Sequence, residues 1–572
     1  MIARMKRGIA QASGLTVVMA VAALLLLVFA VFPMGLLLIR SVVGPQGFDL
    51  GPLASSWGDG RTWSLLGTTV SMALGTSLIT VLLGVPTAWF LARTDVPNKG
   101  ALKTALALPY VIPPYILAIG WITLFNPRSG LVNGWLQTVW GGAEGPLDIY
   151  SLWGMIFVLG LAYYPLVMLQ THSALMGMDP SLEEAARTSG ARPMRVVFTV
   201  TLPLVLPSIA SGALLAFLVA MASFGVPYLV GSPGRVEVLT TSIYTSIDLG
   251  TEDAIARAIG LAVILCVAAA VALAVNAVLV RRGRALLGGK AGRPSLVALG
   301  RWRPVATGTL WGVVLFAVGV PLLTLITTSL LGSYGRGFAL ENLSPANYAT
   351  VFSDDRTLRA GWTSLYLAAA AATVCVAVGT LASYARKRTR LAGRRALPFL
   401  AELPYAVPGT VLAMGLILAF SQEIWVFVPG TVYVRFLMFN TAWILLVAYS
   451  VKFLAFGVRT SDAALTQVDL SLEEAARTSG ASPFGVFGRI VVPLMRPALV
   501  AAWILVFLPV IGEITMSILL FGPETKTIGV LLFDYQTYES PPKAAVVGTL
   551  MVAAIVSGNL LVKRLTGGKL GL

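Results

Sequence analysis

Twelve apolar stretches, each long enough to form a membrane-spanning helix, constrain what this chain can fold into. A helix needs about 20 apolar residues to cross the hydrocarbon core of a bilayer. The stretches are 15–39, 66–91, 104–125, 150–170, 202–230, 255–280, 305–331, 362–384, 397–420, 436–456, 493–521 and 544–562. Of the 572 residues 57% are hydrophobic and only 12% are charged, about half the charged fraction of a soluble protein. The sequence therefore predicts an all-α polytopic membrane protein. The stretches 202–230 and 493–521 are long and contain prolines, so we expect them to be tilted, kinked or partly interfacial.

The basic residues predict which way the chain faces. With the N-terminus in the cytoplasm, the cytoplasmic connections receive the stretch RRGRALLGGKAGRPSLVALGRWR and the cluster Arg386, Lys387 and Arg388, whereas acids such as Glu252 and Asp253 lie outside. Lys and Arg accumulate in the cytoplasmic loops of membrane proteins. This bias explains the net charge of +16, so we do not expect nucleic-acid binding, because the basic residues are scattered between apolar spans. Both termini are predicted to be cytoplasmic.

The first apolar stretch resembles a signal peptide, because Arg4, Lys6 and Arg7 precede it. It is longer than the apolar region of a signal peptide, and no small-residue cleavage site follows it. We therefore predict an uncleaved first transmembrane helix.

An internal repeat divides the chain. The segment SLEEAARTSGA occurs at Ser181–Ala191 and again at Ser471–Ala481, and LPYVIPPYILAIGWI from Leu108 is similar to LPYAVPGTVLAMGLI from Leu403. The repeat predicts two parallel six-helix halves. Residues 1–280 would form the first half, 281–304 a basic cytoplasmic linker, and 305–572 the second half.

Each copy of the polar segment predicts a short cytoplasmic helix that ends at a glycine. Ser181 and Glu184 have the spacing of a capping box, with Asp179 just before them. Gly190, like Gly480 in the second copy, suits the left-handed residue that ends a helix. A well-capped connector would explain one copy. Two identical copies between diverged spans favour docking onto a partner with two equivalent binding clefts.

These residues resemble a known motif, the EAA loop of permeases from type I, binding-protein-dependent ABC importers. The matching residues are Glu184, Ala185, Ala186, Gly190 and Leu202-Pro203 in the first copy, and Glu474, Ala475, Ala476 and Gly480 in the second, where Val492-Pro493 departs slightly. The fused two-half layout and the segment LPYVIPPYILAIGWITLFNPRSGLVN resemble the ferric-iron importer permeases. The resemblance implies that both segments are coupling helices seated on a homodimeric cytoplasmic ATPase, which would bind ATP and Mg. It also implies an extracytoplasmic substrate-binding protein and a bacterial inner-membrane location.

The resemblance predicts a transport subunit that is not itself an enzyme. The sequence has no GxxxxGK[ST] phosphate loop, so ATP would be hydrolysed on a separate subunit. Cys266, Cys375 and the single histidine, His172, form no metal-ligand or catalytic pattern, and no cofactor is expected on this chain. Ferric iron is the first expectation for the solute, with thiamine, a polyamine or aminoethylphosphonate as alternatives. A secondary transporter is a distant alternative, because it would need more ionisable groups at mid-membrane.

The predicted translocation path includes Glu513, in LPVIGEITMSILLFGP, and its counterpart Ser223. A carboxylate inside the hydrocarbon region costs about 2.5–3.5 kcal/mol and should face the bundle interior or water. Glu513 would bind a hard cation transiently through its oxygens, and it would equally suit a protonated amine. The alternative interpretation is a satisfied buried carboxylate that bonds a neighbouring helix. Tyr110 and Tyr405, from the repeated LPY segments, complete the predicted path.

Overall fold

The computed structural model describes residues 20–44, 47–48, 50–140, 145–286, 296–336, 338–388, 396–421, 424–426 and 434–565. In these ranges ten helices are long and apolar enough to cross a membrane, and two further pairs of helices pass the same test together. We number them in chain order. Spans 1 to 6 are Ala20–Arg40, Gly60–Arg93, Lys99–Val111 with Pro114–Phe125, Leu152–Gly177, Met194–Met221 and Glu252–Arg281. Spans 7 to 12 are Gly300–Ser329, Asp355–Arg388, Leu400–Ala406 with Gly409–Phe420, Ala442–Thr466, Phe484–Ile511 and Pro541–Arg564. The predicted all-α membrane fold is confirmed.

Shorter elements connect the spans. The two copies of the polar segment form loop helix A, Pro180–Thr188, and loop helix B, Leu470–Thr478. Other short α-helices are Gly51–Gly58, Leu131–Trp140, Leu239–Leu249, Ala346–Ser353, Ser517–Leu520 and Ile528–Asp534. Two antiparallel hairpins pair Val43–Gly44 with Gly47–Phe48 and Ile424–Val426 with Val434–Phe436.

Spans 3 and 9 differ from the predicted single helices 104–125 and 397–420. Each is two helices that meet at a sharp bend, of 88° in span 3 and 115° in span 9. The cause in span 3 is Pro113-Pro114, because a proline forces the residue before it out of the helical region. Ile112 has ψ 127° and ends the first helix. Pro408 has the same position in span 9 and is the N-cap of its second helix. The prediction of single helices was wrong at these two places.

The two long proline-containing stretches are also interrupted. Span 5 ends at Met221 and span 11 ends at Ile511. A short turn of helix follows each break, at Pro227–Gly231 and at Ser517–Leu520. The stretches 202–230 and 493–521 are therefore not single helices, and Ser223 and Glu513 lie at the corresponding breaks.

The chain forms two compact units. Unit 1 comprises Met1–Ala54, Asp354–Leu531 and Ser557–Gly571, and unit 2 comprises Ser55–Ser353, Leu532–Val556 and Leu572. In unit 1, Gly415 of span 9 lies against the backbone of Pro33 in span 1, where an added Cβ would come within 2.9 Å of the Pro33 oxygen. In unit 2, Gly120 lies still closer to the backbone of span 7, where an added Cβ would clash with the Pro321 oxygen. The first span of each sequence repeat thus belongs to the unit that is built mainly from the other repeat. The boundaries of the compact units therefore differ from those of the predicted halves 1–280 and 305–572. The division into these halves stays a prediction.

Small residues allow close packing of the helices that lead into the loops. In unit 2, an added Cβ on Gly84 of span 2 would lie 2.9 Å from the backbone of Tyr164 in span 4. In unit 1, Gly379 of span 8 and Gly457 of span 10 lie backbone to backbone. Membrane helices commonly associate through such small residues. Each loop helix therefore follows a span that is tightly held by its neighbour.

Candidate functional site

Loop helices A and B begin at an aspartate. The Oδ1 atoms of Asp179 and Asp469 accept hydrogen bonds of 3.0 Å from the backbone N–H groups of Ser181 and Ser471. The hydrogen bond from the Ser181 backbone lowers the pKa of the Asp179 carboxyl. The predicted capping box with Ser181 as N-cap was therefore wrong. In both copies the aspartate side chain, two residues before the serine, caps the helix instead. In loop helix A, Pro180 also suits the first position of a helix, where no N–H partner is needed.

Both loop helices end at a glycine in the left-handed region. Gly190 has φ +85° and Gly480 has φ +88°. The backbone N–H of Ala191 donates to the Ala186 oxygen at 3.1 Å, and Ala481 makes the equivalent bond to Ala476 at 3.0 Å. This closing bond is typical of a glycine C-cap. The predicted glycine turn is confirmed in both copies.

We expect Gly480→Val to impair the turn and transport. A β-branched residue is strained at positive φ, and even an L-alanine there costs about 1–2 kcal/mol. The strain would redirect the chain that leaves loop helix B. Gly488→Val is a matched control, because Gly488 is exposed, has no neighbour within 4 Å of an added Cβ and lies in helix. Thermal unfolding and solute uptake would be measured for both variants. Normal values for Gly480→Val would contradict the role of this turn.

The predicted docking residues lie on the outer face of each loop helix. Glu184 and Ala185 are exposed and Ala186 is half-buried, and Glu474, Ala475 and Ala476 show the same pattern. Leu182 and Leu472 are also exposed, at 46% and 47%. In both copies an acid, an alanine and a leucine are accessible in their unit. This arrangement is compatible with docking, which stays a prediction.

A second glutamate, which the sequence analysis did not single out, anchors loop helix A. Glu183 is buried, and its Oε1 accepts a hydrogen bond of 3.1 Å from Nε of Arg93, at the end of span 2. Thr201 Oγ1 donates to the same oxygen at 2.8 Å. Both members of the ion pair are only 2–3% exposed. The loop helix is thereby attached to spans 2 and 5 of its unit.

Glu473 has the same role in loop helix B, with different partners. Its Oε1 lies 2.9 Å from Nε of Arg388, at the end of span 8. Arg388 also donates through Nη2 to the backbone oxygens of Leu465 and Val468, at 3.2 and 2.7 Å. Val491 occupies the position that corresponds to Thr201, so Glu473 receives no hydroxyl bond there. One signal in the sequence was the pair Glu183-Glu184: an α-helix turns by about 100° per residue, so two neighbouring carboxylates do not share one face.

The predicted path residues of unit 2 come together through Tyr163 of span 4. The Tyr163 hydroxyl lies within hydrogen-bonding reach of Ser223 and close to Tyr110. Ser223 sits at the break after span 5, where its backbone oxygen accepts a hydrogen bond of 2.7 Å from Thr240 Oγ1. Tyr110 lies just before the bend of span 3. A bend and a break therefore place polar groups side by side in this unit.

In unit 1 the corresponding contact is made by Lys452 of span 10. Its Nζ lies 5.8 Å from the centre of the Tyr405 ring and donates to the backbone oxygens of Tyr405 and Val407 at the bend of span 9. Lys452 is also close enough to Glu513 for their charges to interact. The sequence analysis missed Lys452, although a lysine inside an apolar span is a recognisable signal of a functional group.

The Glu513 carboxylate has several hydrogen-bond partners of its own. Oε1 accepts from the Met516 N–H at 2.8 Å, and Oε2 accepts from the Ser517 N–H at 3.0 Å and from Ser517 Oγ at 2.7 Å. These partners lie in the next turn of the chain and not on a neighbouring helix. Within the described residues no three His, Cys, Asp or Glu side chains are grouped to hold a metal ion. Binding of a cation in transit by Glu513 stays a prediction.

Comparison with known proteins agrees with the repeat. The profile of the family "Binding-protein-dependent transport system inner membrane component" matches residues 84–284 and again 376–567. The ferric transport system permease protein FbpB of Actinobacillus pleuropneumoniae is 26% identical over 514 residues, which are 88% of this chain and 71% of that protein. The probable ABC transporter permease y4fN of Sinorhizobium fredii is 27% identical, with 89% of each chain covered. The molybdenum permease ModB of Escherichia coli K12 is 35% identical over 196 residues, 33% of this chain and 83% of ModB. With two matches that together cover most of its length, the chain belongs to the binding-protein-dependent inner-membrane permeases of ABC importers, in the form that fuses both permease halves.

Proposed function

We propose that this permease imports ferric iron that an extracytoplasmic binding protein delivers. The observation that carries the proposal is the similarity to a ferric transport permease along 88% of the chain, across both repeats. The permease would lie in the inner membrane with both termini and both loop helices in the cytoplasm. Thiamine, a polyamine and aminoethylphosphonate are the alternative solutes.

Energy would come from a homodimeric ATPase that binds ATP and Mg and receives loop helices A and B. Closure of the ATPase dimer would move the loop helices and switch the permease between outward and inward access. The buried pairs Arg93–Glu183 and Arg388–Glu473 support this role. Each attaches a loop helix to the end of a membrane span, so a displacement of the loop helix is passed on to that span.

Glu513 is the acidic residue of the proposed path. Hard cations prefer oxygen ligands, and Glu513 is half-buried at the break after span 11. Lys452 lies beside it, so the local pair is close to neutral before a cation arrives. A passing cation would be repelled by the Lys452 charge, and this repulsion favours brief binding over a resident site.

Uptake by the reconstituted system tests the proposal. The full chain would be placed in proteoliposomes with its ATPase and binding protein, and uptake of radiolabelled ferric iron would be followed with and without ATP. We expect ATP-dependent uptake that an excess of thiamine, polyamine or aminoethylphosphonate does not reduce. Uptake of one of these solutes in place of iron would overturn the ferric assignment.

Glu513→Gln should lower iron uptake by about tenfold, which corresponds to about 1.4 kcal/mol. Glutamine removes the charge and cannot accept hydrogen bonds through both terminal atoms. Glu402→Gln is the matched control in the same unit, since Glu402 is half-exposed and pairs with Arg459 at 3.5 Å, a surface contact worth little. Membrane expression would be compared first. Wild-type uptake for both Glu513→Gln and Glu513→Ala would place Glu513 off the path.

A further inference from the structure

A cavity of about 440 Å³ in unit 2 has three basic side chains in its wall. Lys99 and Lys103 come from the first turns of span 3, and His172 comes from span 4. Leu91, Met176 and Leu296 supply apolar parts of the lining. The cavity therefore combines hydrogen-bond donors and positive charge with an apolar wall.

The positive charge of this cavity has little compensation. No acidic residue lines it, and the salt bridges of the described residues include neither lysine. Asp95 is the acid whose charge acts on Lys99. Asp95 is already engaged, because its Oδ1 accepts from the Leu299 N–H at 2.9 Å and its Oδ2 lies 4.0 Å from Arg303. Clustered cations without acids raise the affinity for an anion.

The second repeat differs at two of these three positions. Pro398 corresponds to Lys103 and Asp462 corresponds to His172, from the alignment of the repeated segments. Asp462 forms ion pairs with Arg386 and Lys387. Lys103 and His172 are thus not repeated in the second half, whereas Arg394, the counterpart of Lys99, is basic and lies outside the described residues.

The cavity lies where spans leave the membrane. Leu91 is two residues from the end of span 2, Lys99 begins span 3, and His172 is near the end of span 4. Span 4 continues directly into loop helix A. We infer that this level is near the phospholipid headgroups, because the spans end there. Met176 and Leu296 are 40% and 49% exposed.

We propose that Lys99, Lys103 and His172 form a phosphate-binding site, and that its usual occupant is the headgroup of an anionic phospholipid. Basic pockets between membrane helices bind such headgroups. The two ammonium groups and an imidazole N–H would donate to the phosphate oxygens, and the apolar wall would contact the start of an acyl chain. Because Arg93 follows Leu91 by two residues and holds Glu183, an occupied site would also stabilise the attachment of loop helix A. The inference rests on the membrane location and not on the identity of the solute.

Thermal unfolding of the purified full chain in detergent tests the site. Phosphatidylglycerol, phosphatidylcholine or inorganic phosphate would be added to wild type and to the double variant Lys99→Gln/Lys103→Gln. We expect phosphatidylglycerol to raise the Tm of wild type more than phosphatidylcholine does. The double variant should bind phosphatidylglycerol about tenfold more weakly, since each basic group near the headgroups contributes measurably to anionic-lipid binding.

The matched control is Arg489→Gln/Arg496→Gln, which removes the same charge from exposed residues of span 11 and should keep the lipid response. If the double variant does not fold, the single variant Lys103→Gln replaces it, and we expect this variant to lose part of the Tm increase caused by phosphatidylglycerol. Stabilisation by inorganic phosphate that depends on the lysines, with no preference for phosphatidylglycerol, would assign a soluble phosphate and overturn the lipid. A lipid response that is absent, or unchanged in the lysine variants, would overturn the site.

Discussion

The double variant Glu184→Ala/Glu474→Ala is expected to lose ATP-driven uptake and to remain folded. Both carboxylates are exposed, and the salt bridges of the described residues include neither of them. Loss of an exposed carboxylate costs about 1 kcal/mol or less, and alanine is a better helix former than glutamate. Docking onto the ATPase would instead lose two charged contacts at once. The measurements are uptake and ATPase stimulation in the reconstituted complex, with Tm as the check on folding.

The single variants provide an internal comparison. Loop helices A and B are identical from Ser181 and Ser471 onward for eleven residues, and their glutamates are equally exposed. If each helix sits in an equivalent cleft of a symmetric ATPase, Glu184→Ala and Glu474→Ala should have similar, intermediate effects. Wild-type uptake in the double variant would refute docking through these residues, whatever the solute is.

The sequence predicted the elements that depend on local composition. Apolar length located all twelve spans, and the glycines at the ends of the loop helices have the predicted left-handed backbone. The bends of spans 3 and 9 were missed because hydropathy measures length and polarity and does not register direction. The prolines that cause them, at Pro113 and Pro408, were visible in the sequence. A proline in the middle of an apolar stretch indicates a bend that the hydropathy of the stretch does not show.

Contacts between segments that are far apart in the chain could not be predicted from the sequence pattern. A repeat shows which segments are equivalent, but it does not show that span 1 packs with span 9, as Gly415 and Pro33 do. The same limit hid the partner of Glu183, because Arg93 lies far from it along the chain. Glu183 and Glu184 are the same residue type at neighbouring positions, so the sequence does not distinguish them. Only the packing of the helix decides that the first is buried and the second exposed.

Glu183→Gln is expected to be the most destabilising of the conservative substitutions considered. It would leave the Arg93 guanidinium charged and buried, and breaking a buried ion pair from one side costs about 3–5 kcal/mol. Arg93 has no second acceptor to turn to, since its Nη1 and Nη2 atoms have no hydrogen-bond partner among the described residues. The Tm of the purified protein should fall, and amide exchange in loop helix A should rise. Glu184→Gln, one residue on and exposed, is the control and should change little.

Loop helix B allows a test of whether the unpaired buried arginine causes the loss of stability. Glu473→Gln should destabilise less than Glu183→Gln, because Arg388 keeps its bonds to the oxygens of Leu465 and Val468 and its side chain is 9% exposed. Arg93→Met in the Glu183→Gln background should recover most of the loss, since it removes the unpaired buried charge. If the two glutamine variants unfold alike and Arg93→Met restores nothing, the ion pair is not what holds loop helix A. The attachment of that helix would then depend on apolar packing around Thr201 and span 5, and the coupling proposed for it would pass through span 5 instead of span 2.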